Sequence, residues 1–83
     1  MSLDEESFFY IVGMPDRGVL VKFYTPWCHH CKHLAPLYEE AAAVLQAADD
    51  NVVLAEVNVE QNGRLGERFE IQGFPTLLWC VCG

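Results

Sequence analysis

The chain has 83 residues, of which 52% are hydrophobic, and a formal net charge of −7 at pH 7. This length allows one small domain spanning residues 1–83, the apolar content argues against disorder, and the acidic balance argues against nucleic acid as a partner. The sequence has no apolar run near the roughly 20 residues of a membrane span and no signal-peptide pattern at its start.

Helices and strands are predicted to alternate along the chain. Ser7 is suited to cap the first helix, and the first two strands are nearly all apolar, interrupted by Lys22 and Glu56. The order αβαβαβ predicts an α/β fold with a parallel pair of strands joined by helices. In chain order, we expect a helix at 8–12, a strand at 19–24, a helix from residue 28 through the alanine-rich stretch, a strand at 52–59, a helix at 64–70 and a strand at 76–81.

The long helix after residue 28 has apolar residues at helical spacing, which predicts one face packed on the sheet. Pro36 is expected to bend this helix, because proline removes a backbone donor. Turns are predicted at 49–51 and 73–75. The apolar positions of the helix are Leu34, Leu37, Tyr38, Ala41, Ala42 and Leu45.

The four cysteines form two close pairs, Cys28 with Cys31 and Cys80 with Cys82. Such pairs close very short loops and would stabilise a disulfide scaffold little, so chemistry is the better explanation for the first pair. The second pair alternates along a predicted strand, and both of its members are expected in the core or at the end of the chain.

The first pair lies where a strand ends and a helix begins. An ordinary thiol is only about 3% thiolate at neutral pH, and the free N–H groups at a helix start favour the anion. We therefore predict that Cys28 is the nucleophile of thiol–disulfide exchange and that Cys31, one helical turn on, resolves the mixed disulfide. His30 adds a titratable donor beside the sulfurs. Because Cys28 follows Trp27 and precedes two histidines, we expect it to stay unburied.

Zinc binding is an alternative for the same segment, since the cysteines and histidines together exceed the four ligands that zinc needs. The helix that begins inside the motif argues against it, because structural zinc sites place such pairs in tight loops. We predict no metal site. His29 and His33 are expected to face solvent near the helix start without a role in exchange.

Three segments of the chain resemble the catalytic thioredoxin-like domains of the protein disulfide isomerase family. Residues 21–36, which include the Cys28–Cys31 pair, resemble the active-site segment, and residues 54–58 and 73–76 match two further segments in the same order. The resemblance covers about residues 7–83. It implies a thioredoxin-like fold, with a central mixed sheet between two layers of helices.

This resemblance also implies partners and a compartment. Substrates would be cysteine-containing unfolded or misfolded proteins in the lumen of the endoplasmic reticulum, with a thiol oxidant or glutathione upstream and no cofactor beyond the Cys28–Cys31 disulfide. Pro75 would be a cis-proline facing that pair, and the Phe74 backbone would pair with an extended peptide. A redox-silent module that binds peptides at Phe74 and Pro75 is the remaining alternative.

The chain departs from the family in three respects. His29 replaces the usual glycine of the motif. Lys22 and Glu56 carry charges exchanged relative to the family, so we predict an ion pair beneath the cysteines that is either structural or a support for Cys31. The family domain begins with a strand that residues 1–6 barely supply and continues with a strand and a helix. The resemblance therefore implies a domain incomplete at both ends, with marginal stability or self-association.

Overall fold

The structure, a computed structural model, describes residues 1–14, 17–49 and 51–81. These residues form a four-stranded sheet of order β1-β3-β2-β4, in which β3 runs parallel to β1 and β2 while β4 runs antiparallel to β2. The predicted parallel pair of strands is confirmed. The elements are β1 (Ser2–Leu3), α1 (Phe8–Val12), β2 (Gly18–Tyr24), α2 (His29–Ala48), β3 (Val52–Asn58), α3 (Gly63–Arg68) and β4 (Thr76–Val81).

The N-terminal residues form an edge of the sheet. Ser2 and Leu3 pair with Glu56 and Val57 of β3, and the Glu56 N–H donates to the Met1 carbonyl at 2.8 Å. Leu3 is buried in the core. Residues 1–6 therefore supply a strand of two residues, which is too short for any periodic pattern to reveal.

One face of the sheet, here called the closed face, holds the hydrophobic core. Alternate residues of β2, namely Val19, Val21 and Phe23, point into it and are fully buried. The Phe23 ring lies 6.3 Å from that of Phe8 in α1 and 5.7 Å from that of Phe69, which follows α3. Packed rings from three segments fix α1 and α3 against this face.

The opposite face, here called the open face, carries the other β2 residues and lies under α2. The Tyr38 hydroxyl is within hydrogen-bond distance of the carbonyls of Leu20 (2.7 Å) and Ala55 (2.9 Å), so it ties the helix to both central strands. On β4, Leu77 is exposed and Trp79 is 55% exposed. The described residues therefore cover this face only in part.

The predicted apolar face of α2 is confirmed for Tyr38, which is buried, and for Leu34 and Ala42, which are half-buried, but not for the other three positions. Cys31 and Tyr38 are the buried residues that the structure gives for α2, whereas Leu37 and Leu45 are exposed. Leu37 and Leu45 lie on the neighbouring i, i+4 row of the helix, beside the row of Tyr38 that contacts the sheet. Pro36 lies inside the helix, which runs on to Ala48.

The predictions for the Ser7 cap and for the ends of two elements also change. Ser7 makes no side-chain cap at α1; instead an Asp4 carboxylate oxygen accepts from the N–H groups of Glu6 (3.0 Å) and Ser7 (2.8 Å). At the predicted turn 49–51, Asp49 accepts from the Asn51 N–H at 2.9 Å, while residue 50 lies outside the described residues. Strand β3 ends one residue before its predicted end, and helix α3 ends two residues before its predicted end.

Candidate active site

The two cysteines of the first pair lie at the N-terminus of α2. Cys28 is the N-cap residue in extended conformation, and its N–H donates to the Thr25 carbonyl at 3.2 Å. Its sulfur accepts from the Cys31 N–H at 3.3 Å. The prediction that one helical turn brings Cys31 beside Cys28 is confirmed, and the cap places Cys28 Sγ where helix N–H groups favour an anion.

Both sulfurs are less accessible than the sequence indicates. Cys28 is only 7% exposed and Cys31 only 4%, so the prediction that Cys28 stays unburied is wrong. The reason is the cap itself, since the Cys28 sulfur turns towards the helix to accept the Cys31 N–H. Burial, together with the hydrogen bond to Cys28, raises the pKa of the Cys31 thiol, while the nearby Lys22 charge opposes this rise.

The predicted ion pair between Lys22 and Glu56 is confirmed. These residues stand opposite each other on β2 and β3, with Lys22 Nζ 3.2 Å from a Glu56 carboxylate oxygen. The Lys22 side chain is 3% exposed and that of Glu56 36%. The ammonium also lies 4.9 Å from the Tyr38 ring centre and 5.3 Å from that of Tyr24. The cation is thus the enclosed member of the pair, and the carboxylate reaches solvent.

A cavity of about 230 Å³ connects this ion pair to the second cysteine. The Thr25 hydroxyl is buried and has no hydrogen-bond partner among the described residues. Thr25 also lines the cavity, but its hydroxyl oxygen is too enclosed to contact a water there. Sequence reasoning missed Thr25 and Tyr38, because only the meeting of α2 with the two strands gives them a role. The cavity is lined by Lys22, Tyr24, Thr25, Pro26, Cys31, Lys32, Ala35, Glu39 and Glu56.

Trp27 and Phe74 form an aromatic contact beside the cysteines. Trp27 is exposed, and its ring meets that of Phe74 edge to face with centroids 6.0 Å apart. The Phe74–Pro75 peptide bond is cis, as the resemblance implies. The Thr76 hydroxyl donates to the Gly73 carbonyl at 2.6 Å, which fixes this turn. The turn before β4 therefore lies next to the residue that precedes Cys28.

The three histidines lie on the first two turns of α2, and all are exposed. His30 directly precedes Cys31, as the sequence places it. His29 and His33 contact each other, with their Nε2 atoms 3.2 Å apart. This contact was missed at the sequence level, although the four-residue spacing of two histidines on a helix is the signal that predicts it.

The remaining cysteines are separate from this site. Cys80 packs against the core on the closed face, and burial raises the pKa of its thiol. Cys82 lies outside the described residues. Among residues 1–14, 17–49 and 51–81, no group of three or more histidine, cysteine or acidic side chains could hold a metal ion. None of the helices in these ranges combines the length and hydrophobicity of a membrane span.

Comparison with curated proteins finds relatives named as protein disulfide-isomerases. Protein disulfide-isomerase erp38 of Neurospora crassa is 46% identical over 77 residues, which make up 93% of this chain and 21% of the relative. Protein disulfide-isomerase 1 of Caenorhabditis elegans is 49% identical over 78 residues, 94% of this chain and 16% of the relative. The chain therefore spans only about a fifth of the length of these proteins.

Solved structures share the architecture. The zinc-bound form of human ERp44 superposes with a TM-score of 0.90 at 34% identity, over 98% of this chain and 23% of that one. The first thioredoxin domain of mouse protein disulfide-isomerase A4 superposes with a TM-score of 0.84 at 35% identity, over 94% of this chain and 55% of that one. The Thioredoxin family model matches residues 1–83. With this match and the Cys28–Cys31 pair at the start of α2, the chain belongs to the thioredoxin family.

Proposed function

We propose that this domain catalyses thiol–disulfide exchange on cysteine-containing proteins through Cys28 and Cys31. The observation that carries the proposal is the 3.3 Å hydrogen bond from the Cys31 N–H to Cys28 Sγ at the start of α2. It holds one sulfur where backbone donors favour the thiolate and the second sulfur within one turn. Exchange needs no cofactor beyond the disulfide that these two residues form.

In the reductive direction, the Cys28 thiolate attacks a substrate disulfide, forms a mixed disulfide and releases one substrate sulfur as a thiolate. The Cys31 thiol then loses its proton and attacks Cys28 Sγ. This step forms the Cys28–Cys31 disulfide and releases the second substrate sulfur. Two electrons pass from the dithiol to the substrate. The oxidative direction is the reverse, and a thiol oxidant or oxidised glutathione restores the disulfide.

Proton loss from Cys31 is the step that the protein must assist, because burial raises the pKa of this thiol. Glu56 is the candidate acceptor, since its partly exposed carboxylate lines the same cavity as Cys31 and is held by Lys22. Lys22, fixed beneath the cavity, holds that carboxylate in place and favours the Cys31 thiolate. A water in the cavity would carry the proton across. Both charged residues act on Cys31 and do not touch substrate.

The substrate class follows from the surface beside the sulfurs. Trp27 and Phe74 offer an aromatic rim to an unfolded segment, and the Phe74 backbone can pair with an extended peptide. Pro75 shapes this groove, and His30 supplies a donor next to Cys31. We therefore propose unfolded or misfolded proteins as substrates. The relatives named protein disulfide-isomerases support this class and the lumen of the endoplasmic reticulum as the compartment.

The direct experiment is a redox titration. The protein is equilibrated in glutathione buffers of defined potential, the thiols are trapped, and the modified cysteines are located by mass spectrometry. We expect a two-electron Cys28–Cys31 couple near about −180 mV, the value typical of protein disulfide isomerase. If these cysteines do not titrate as a couple, the proposal is wrong. That result would favour the alternative of a redox-silent module that binds peptides.

Single-cysteine variants test the division of roles. Cys31→Ser should accumulate a mixed disulfide with a disulfide-bonded substrate peptide, because the resolving thiol is lost, whereas Cys28→Ser should form none. Cys80→Ser is the matched control, since Cys80 packs on the closed face, and should exchange as the parent protein does. A mixed disulfide on Cys31 in the Cys28→Ser protein would contradict the assignment.

A further inference from the structure

His29 and His33 form a paired site outside the exchange machinery. The two residues lie one helical turn apart on α2, and their rings are nearly perpendicular, with centroids 4.7 Å apart. The Nε2 atoms face each other at 3.2 Å. Both rings are exposed, and among the described residues neither forms another hydrogen bond. Two imidazole nitrogens therefore converge at the surface without a structural task.

The separation of these nitrogens matches that of ligands on a metal ion. Zinc binds imidazole nitrogen at about 2.0–2.1 Å, so two nitrogens at neighbouring corners of a tetrahedron lie about 3.3–3.4 Å apart. The hydrogen bond between the two rings needs one proton between the nitrogens, and a metal ion can take the place of that proton with small ring rotations. The helix already holds both side chains at the required spacing, so little ordering is needed.

We propose that His29 and His33 chelate one exchangeable divalent transition-metal ion, of which zinc and nickel are the probes. Imidazole nitrogen is a good ligand for both ions. Two protein ligands leave the other coordination positions to water, so the site binds more weakly than a three- or four-ligand zinc site. The net charge of −7 favours a cation, whereas the positive end of the α2 dipole opposes it.

This site is distinct from the exchange chemistry. Neither imidazole contacts Lys22, Glu56 or the sulfurs among the described hydrogen bonds and ion pairs. Histidine at position 29 stands where the family usually carries glycine.

The test is a zinc titration of the protein with Cys28 and Cys31 joined as a disulfide, so that these sulfurs are not available as ligands. Binding is followed by the imidazole nitrogen signals in NMR spectra. We expect the signals of His29 and His33 to shift together, with His30 unaffected. His29→Gly and His33→Ala should each weaken this binding by about tenfold or more, because each removes half of the chelate.

His30→Ala is the matched control and should change the zinc affinity by less than about twofold. His33→Gln repeats the test with a side chain that is longer and more polar than that of His33→Ala. Circular dichroism checks that every variant keeps its fold. Nickel should bind the same two residues. Affinity unchanged in His29→Gly or His33→Ala, an equal loss in His30→Ala, or no imidazole shift at zinc up to about 1 mM would each overturn the proposal.

Discussion

The two faces of the sheet are built on different principles. On the closed face, aromatic and branched side chains from β2, α1 and α3 are fully buried against one another. On the open face, β2 places a lysine under α2, and β4 leaves Leu77 and Trp79 exposed. The stability of the domain comes chiefly from the closed face. The open face tolerates charge near Cys31 because solvent reaches one side of it.

The largest expected effect separates the two faces directly. Phe23→Ala on the closed face should lower the free energy of unfolding by about 3–5 kcal/mol, because it leaves a cavity among packed rings. Trp79→Ala on the open face should cost under about 1 kcal/mol, since that ring is 55% exposed. Urea denaturation measures both values.

If Phe23→Ala does not fold, Phe23→Leu provides the same test with a smaller loss of volume, about 1–1.5 kcal/mol. Equal costs for the Phe23 and Trp79 variants would contradict the contrast between the faces.

The second prediction concerns the ion pair of the open face. Glu56→Gln leaves a cation buried without its counter-ion and should cost about 2–3 kcal/mol. Lys22→Met leaves a carboxylate that solvent can hydrate and should cost less than about 1 kcal/mol. Thermal or urea unfolding of the two variants decides this asymmetry. A larger cost for Lys22→Met would show that Lys22 has a greater structural role than its burial implies.

The same pair has a chemical readout. Lys22→Met should raise the pKa of the Cys31 thiol further, because the cation that favours the thiolate is gone. The pH dependence of Cys31 alkylation in a Cys28→Ser background measures this shift. If the ion pair were purely structural, the pH dependence of Cys31 alkylation would be the same with and without Lys22→Met.

A smaller effect is expected at the hydroxyl that joins α2 to the strands. Tyr38→Phe removes the hydrogen bonds to Leu20 and Ala55 and should cost about 1–2 kcal/mol. Burial, then the Glu56 charge, raises the pKa of Tyr38 from 10.0 to about 12. The folded state therefore holds this proton more tightly, so its contribution is complete below pH 10 and is lost as the pH rises towards about 12.

Urea unfolding at several alkaline pH values tests this sign. The parent protein should lose stability between pH 10 and 12 more steeply than Tyr38→Phe, which has no hydroxyl to titrate. Parallel pH profiles for the two proteins would contradict the linkage.

The smallest expected effect is weak association through the exposed part of the open face. Leu77 and Trp79 are neighbouring apolar side chains on one face of β4, and such patches favour contact between molecules. Trp79→Glu should reduce concentration-dependent association in sedimentation velocity, whereas Glu67→Gln, an exposed position on α3 at the closed face, should not. If association is unchanged in Trp79→Glu, the molecules do not associate through this part of the open face.

The sequence by itself determined strands β2, β3 and β4, the order of elements from α1 onward and the Cys28–Cys31 chemistry. Apolar runs and helical spacing are local signals, and the strand at 76–81 and the Lys22–Glu56 pair are confirmed. A cysteine pair at a predicted helix start likewise needs only neighbouring residues to be recognised.

Only the tertiary structure decided what each residue faces. The burial of Cys28, the two-residue strand β1 and the exposure of Leu37 depend on segments distant in sequence. The same is true of the cavity that joins Cys31 to Glu56 and of the hydroxyl of Thr25. Periodicity shows which side of an element is apolar, but whether another element covers that side is settled by packing.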